Sequence, residues 1–154
     1  MKQNHFKRLT LDGDWTLACG YHWDFDKSIV SLDAAKSSGM KILPAKVPGN
    51  FELDLERAGE CGEIFYGDNI YSMYDCENMD ALYSRRFTYE PEKNTRAVLV
   101  CEGLDCFAEV FIDGELVGES DNMLIPHEFE LENLSAGEHE ISVRFTSAVM
   151  KARE

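Results

Sequence analysis

Chemistry in this chain would have to come mostly from its acids. Of 154 residues, 29 are Asp or Glu and 15 are Lys or Arg, so the formal net charge is −14. Asp24 with Asp26, and Asp75 with Glu77, lie close enough in sequence to be weighed as acid–base pairs. Such pairs are common in an acidic chain, and nothing nearby would raise one pKa by burial. All four read as solvated surface, and no catalytic residue is assigned. The histidines, His5, His22, His127 and His139, show neither H-x₃-H nor H-E-x-x-H spacing, and the five cysteines contain no Cys-x-x-Cys pair. No metal and no cofactor is expected. The region that stands out runs from about 60 to 80. It has no period, yet Tyr66, Tyr71 and Tyr74 stand there among Asp68, Asn69, Asp75, Glu77 and Asn78. A loop of that length in a compact domain is usually functional or disordered, and its aromatics argue against disorder.

Those residues need a scaffold, and length limits which one. A chain of 154 residues makes one domain, here 1–154, and cannot hold a (β/α)₈ barrel, which needs at least about 200. The negative field repels phosphate backbones, which excludes nucleic acid as a partner. Hydrophobic residues at 44% exclude a disordered acidic tail. No apolar run approaches the ~18 residues of a membrane span, and Met1 to Thr10 is polar without a signal-peptide core. Cys101 and Cys106 fall in apolar runs and read as buried reduced thiols. Five unpaired-looking thiols in an acidic chain point to the cytoplasm.

Periodicity is clearest in the second half. Tyr83, Phe87 and Tyr89 share one face of a strand from Leu82, with Arg85 among them, and Arg85 and Arg86 read as a solvated or ion-paired edge. Ala97–Cys101 is a continuous apolar run, as expected of a strand covered on both sides. Cys106, Ala108, Val110 and Ile112 share a face, and Asp113-Gly114 follows before Leu116-Val117 resumes, which favours a type I′ hairpin. Phe129 and Leu131, then Ile141, Val143 and Phe145, alternate with polar residues. Strands at this spacing mean an all-β sandwich or barrel. In the first half, Leu9, Leu11, Trp15 and Leu17 suggest an opening strand interrupted by Asp12-Gly13. Residues 26–39 are polar with room for a helical turn. Asn50 is a candidate N-cap for a helix with Phe51, Leu55 and Ala58 on one face and Gly59 as its stop. Alternation of Phe51, Leu53 and Leu55 keeps a strand in competition.

Two segments carry a resemblance. One is Val47-Pro48-Gly49-Asn50, Leu53 to Leu55, Ala58-Gly59 and Phe65-Tyr66-Gly67-Asp68-Asn69. The other is Tyr83 to Phe87, Glu102-Gly103-Leu104-Asp105, Ala108 to Gly114 and Val117-Gly118, followed by Pro126, Phe129 and Gly137. Together with Leu11 to Trp15 they resemble the N-terminal sugar-binding domain of glycoside hydrolase family 2, in its β-mannosidase-like branch. Asp113 stands where asparagine is commoner. Cys61-Gly62-Glu63-Ile64 replaces the branch's Pro-Asp-Pro, and Asp80-Ala81-Leu82 lacks its tryptophan. Gly103, Gly114 and Gly118 fall where a bend, a hairpin and a strand end need a residue without Cβ.

The resemblance implies an antiparallel jelly-roll β-sandwich, galactose-binding-domain-like. It also implies a retaining glycosidase whose two glutamates lie on a barrel after further sandwich domains. The family's acid/base sits in an Asn-Glu dipeptide, and this sequence has none. The expectation is therefore an excised, non-catalytic accessory domain, partnered by the following immunoglobulin-like and barrel domains. Its Tyr66–Asn69 loop would help shape the non-reducing-end sugar subsite, with Asp68 or Asn69 on a hydroxyl and Tyr66 holding the loop. Alternatively Asp68-Asn69 caps a turn and Tyr66 packs on the sandwich. Trp15 and Trp23 read as core or inter-domain packing, and His127 as the end of a loop. An independent lectin-like module and a structural spacer are the other readings of the whole chain.

Overall fold

The computed structural model describes residues 7–154; His5, and most of the Met1–Thr10 reading, fall outside them. Eight strands dominate: β1 (Gly13–Tyr21), β2 (Ile42–Val47), β3 (Met79–Tyr89), β4 (Ala97–Cys101), β5 (Phe107–Ile112), β6 (Glu115–Ser120), β7 (His127–Leu131) and β8 (Gly137–Thr146). Six form one sheet in the order β2-β1-β3-β8-β5-β6, and β4 pairs with β7 in a second. Every pairing is antiparallel. The chain is an all-β antiparallel sandwich.

The core lies between the sheets. Trp15 and Leu17 of β1, Val110 of β5 and Val143 of β8 are buried there, and Leu99, Phe129 and Leu131 close it from the small sheet. Phe129 explains Gly118. A Cβ on Gly118 would stand 2.0 Å from the Phe129 ring, so the close approach of the two sheets needs glycine in the body of β6, not at a strand end. The opposite face of the large sheet is also covered. Ala18 and Leu82 pack against Phe25, Ile29 and Ala35. Ala35 comes from helix α1 (Leu32–Ser37), the helical turn expected within 26–39, whose N-cap Ser31 accepts from the Ala34 N–H. Arg144 pins this layer: it donates to Glu109 at 2.5 and 2.9 Å and to the Lys27 carbonyl.

The β5–β6 hairpin is the expected type I′ turn, with Asp113 at φ 52° and Gly114 at φ 84°. Helix α2 (Phe51–Arg57) wins over the competing strand. Asn50 accepts from the Leu53 N–H at 2.9 Å, and Gly59 at φ 77° ends the helix. A last helical turn, α3 (Ala148–Lys151), follows β8.

Several expectations are corrected. Leu9 and Leu11 precede β1 and do not belong to it. β2 has no counterpart in the sequence reading; it carries Pro44, which is tolerated because β2 is an edge strand. β4 is covered on one side only, leaving Val98 38% and Val100 49% exposed on its outer face. Arg85 lies in a central strand and not at an edge. Its guanidinium donates to the Leu11 and Asp12 carbonyls at 2.9 and 2.6 Å, tying the N-terminal stretch to the sheet. Arg86 is ion-paired with Glu138, as expected. The thiols of Cys101 and Cys106 are half-buried, not fully buried.

Candidate functional site

The segment between Gly59 and β3 is folded, although it has neither helical nor strand period. Ile64 and Met73 are buried and anchor it to the sandwich. Between them the chain makes two tight turns and then a 3₁₀ stretch, Asn69–Asn78. The Ile64 N–H donates to Glu56 of α2 at 3.3 Å. At the far end the Ser147 hydroxyl donates to the Glu77 carbonyl. Asp80 accepts from the Ser147 N–H at 2.8 Å and contacts His22 Nδ1 at 3.0 Å. A carboxylate thus ties the end of this segment to both the β1 and the β8 ends.

At the tip the three residues singled out from the sequence come together but divide the work. Asn69 turns inward. Its amide donates to the Glu63 carbonyl at 2.8 Å, while its N–H donates to the Tyr66 carbonyl at 3.2 Å. Gly67, at φ 57°, makes the intervening turn. Tyr66 is 73% exposed, so it neither packs on the sandwich nor holds the loop through its ring. Asp68 is exposed and makes no side-chain capping bond. The shape is held by Asn69, and the groups left facing outward are the Tyr66 ring and the Asp68 carboxylate. Phe65, 80% exposed, and the tilted Tyr71–Tyr74 pair, with ring centroids 5.7 Å apart, are further exposed aromatics on the same segment. Aromatic faces with hydrogen-bonding groups beside them suit a pyranose, which offers C–H surface and hydroxyls. Asp24, Asp26, Asp75 and Glu77 are exposed, as expected of surface acids.

Two arrangements were not legible in the sequence. Asp54 of α2 is fully buried and accepts from the Tyr83 hydroxyl at 2.8 Å, the Lys46 N–H at 3.0 Å and the Arg57 guanidinium. Burial, then the bond to Asp54, pushes the Tyr83 phenol far up, so it remains a neutral donor. All of these partners are internal, so the cluster positions α2, and through it the loop, without offering chemistry. The other is Tyr21 stacked on Trp23, with centroids 4.9 Å apart and planes 6° from parallel; Trp23 is 63% exposed and lies outside this domain's core, unlike Trp15. Their i, i+2 spacing on a strand end was the available signal. His127 closes the loop before β7 by meeting Ser120 Oγ at 2.8 Å. Among the described residues no three His, Cys, Asp or Glu side chains are placed to hold a metal ion, and no helix is long and apolar enough to cross a membrane.

Two packed antiparallel sheets define a class, that of all-β sandwich modules. The comparisons narrow it. Residues 23–154 match the family described as glycosyl hydrolase 2 galactose-binding domain-like, and the chain belongs to that family. It is 32% identical over 133 residues to β-mannosidase B of Thermothelomyces thermophilus and 26% identical over 135 residues to a probable β-mannosidase of Caenorhabditis elegans. Those matches take in 84% and 86% of this chain but 15% and 14% of the relatives. The crystal structure of β-D-mannosidase from Dictyoglomus thermophilum superposes with a TM-score of 0.76 at 33% identity, over 94% of this chain and 16% of that one. A β-glucuronidase from an uncultured Clostridium, at 18% identity and a TM-score of 0.60 over 88% of this chain and 21% of that one, shares the fold. The chain thus corresponds to about one-seventh of the length of its β-mannosidase relatives.

Proposed function

We propose that this chain is the N-terminal, non-catalytic sandwich domain of a larger retaining glycosidase of the β-mannosidase kind, acting in the cytoplasm. Its 65–74 loop completes the rim of a sugar subsite built mainly by a barrel domain that follows an immunoglobulin-like one. The observation that carries this reading is the loop tip: Asn69 spends its amide on the loop's own backbone, while Asp68 and the Tyr66 ring are exposed. The β-mannosidase relatives support the substrate class.

The test uses the parent enzyme. Removing a charged hydrogen bond that strengthens in the transition state should lower kcat/KM by about 2–3 kcal/mol. Asp68→Ala is expected to show that loss on an aryl β-mannoside, and Asn69→Ala a smaller one through a loosened loop. If both variants retain wild-type kcat/KM, the loop is structural and the proposal fails.

The exposed Tyr21–Trp23 stack favours a second reading, an independent carbohydrate-binding module. Titrating this chain alone with mannosides separates the two readings. Saturable quenching of Trp23 fluorescence supports the module, and an unchanged spectrum supports the accessory role.

A further inference from the structure

Nucleophiles gather at one other place. Cys19 of β1, Cys61 just after α2 and Cys76 near the end of the 3₁₀ stretch line a single cleft of about 530 Å³, with Leu55, Met73 and the ion pair Lys41–Glu60. Three chain segments thus bring three of the five thiols to one opening. Cys101 and Cys106, nearer to each other in sequence, lie instead in the cleft beneath β4.

Of the three, Cys61 and Cys76 lie outside the sheet ladders, whereas Cys19 belongs to β1. Their freedom to move differs. Cys19 sits in β1 and is paired within the sheet, opposite Ala81 of β3. Cys61 sits in an irregular stretch between Gly59 and Gly62. A disulfide needs Cα atoms about 4.4–6.8 Å apart, and only a segment outside the ladders can adjust to that without breaking strand pairing.

We propose that Cys61 and Cys76 form a reversible dithiol–disulfide pair that ties the two ends of the 65–74 loop together under oxidising conditions. The pairing is a property of this chain and does not depend on the loop's role toward sugar. With oxidised glutathione the step balances. The Cys61 thiolate attacks one glutathione sulfur, its S–S bond breaks, and one glutathione thiolate leaves. Cys76 then attacks the Cys61 sulfur and expels the second. The two protons released by the cysteines end on the two glutathione thiols, so the protein is oxidised by two electrons and the glutathione disulfide is reduced. Burial, then the Glu56 and Glu60 charges, pushes the Cys61 thiol up. The pair therefore responds slowly, and to sustained oxidant, because thiolate is the attacking form.

The experiment incubates the purified chain with oxidised glutathione, counts free thiols after denaturation and maps the joined peptides. The expected result is a fall from five free thiols to three and a peptide joining Cys61 to Cys76. Chymotrypsin cuts in the loop should then leave the fragments linked until reductant is added. Cys61→Ser and Cys76→Ser should each abolish the paired loss, while Cys106→Ser should still lose two thiols. Retention of all five thiols overturns the proposal. So does glutathione left attached at Cys61, or a joined peptide containing Cys19, Cys101 or Cys106. Mapping the unmodified chain needs no variant to fold.

Discussion

Asp54 and Asp68 stand at the two ends of one short stretch of chain, and they behave in opposite ways. Asp54 is sealed in and answered on every side, by a phenol, a backbone N–H and a guanidinium. Asp68 is exposed with no capping partner, on a loop where the amide of the neighbouring Asn69 donates to the Glu63 carbonyl. A buried acid with internal partners organises the fold, whereas an exposed acid without a capping partner is available to something else. Acid content alone cannot separate the two, since both are aspartates in a chain with 29 acidic residues. What separates them is where their hydrogen bonds go.

The contrast can be broken by mutation. Asp54→Ala should be the most damaging change, because it strands the Tyr83 hydroxyl and the Lys46 N–H in a dry site. At about 1–3 kcal/mol for each orphaned donor, a loss of about 3 kcal/mol in urea unfolding is expected. A midpoint within error of wild type would show that water reaches the cluster.

An intermediate effect is expected at His139, a buried histidine whose Nδ1 meets Asp113 at 2.6 Å. The bond to Asp113, then the Ser135 carbonyl, raises the His139 pKa above its usual 6.5. Burial pulls Asp113 upward, but the bonds from His139 and the Glu140 N–H prevail and hold it below 3.8. The raised histidine stabilises below its unfolded pKa and loses that contribution as pH rises through its folded value. The lowered aspartate stabilises above its unfolded pKa and loses its contribution as pH falls through its folded value. Stability lost in His139→Gln should therefore be greatest between about pH 4 and 6.5 and shrink toward pH 9. A gap that stays constant with pH would mean that the pair is not charged.

The smallest effect should be at the loop tip. Asp68→Ala and Tyr66→Ala in this chain are expected to shift unfolding by no more than about 0.5 kcal/mol, the range of surface substitutions. A cost near that of Asp54→Ala would erase the distinction between the two aspartates.

Much of the scaffold was legible because its signals are local. Asp113-Gly114 demands positive φ at two successive positions, and Asn50 with Gly59 brackets α2 by cap and stop. β2 escaped because Pro44 and Lys46 break an apolar run that only an edge position makes tolerable. The Val98 and Val100 run reads as doubly buried, since periodicity records apolar side chains and not what covers them. At the site, residue types singled out the 66–69 segment but could not show that the Asn69 amide is spent on the loop's own backbone while the Tyr66 ring is exposed. The reason is physical: the group that holds Asn69 is the Glu63 backbone carbonyl, and a carbonyl looks the same at every residue.

The outward face of β4 carries a consequence for the molecule in solution. Among the described residues β4 and β7 pair only with each other, so there this small sheet ends in unpaired backbone, with Val98 and Val100 exposed beside it. An edge of that kind is a template for strand-to-strand association between molecules. Glu128 and Glu130 on β7 and a net charge of −14 keep neighbours apart at low ionic strength. The reach of that repulsion contracts from about 10 Å at 0.1 M salt to about 3 Å at 1 M. Added salt should therefore promote association of this chain through the β4 edge, which light scattering against ionic strength would read.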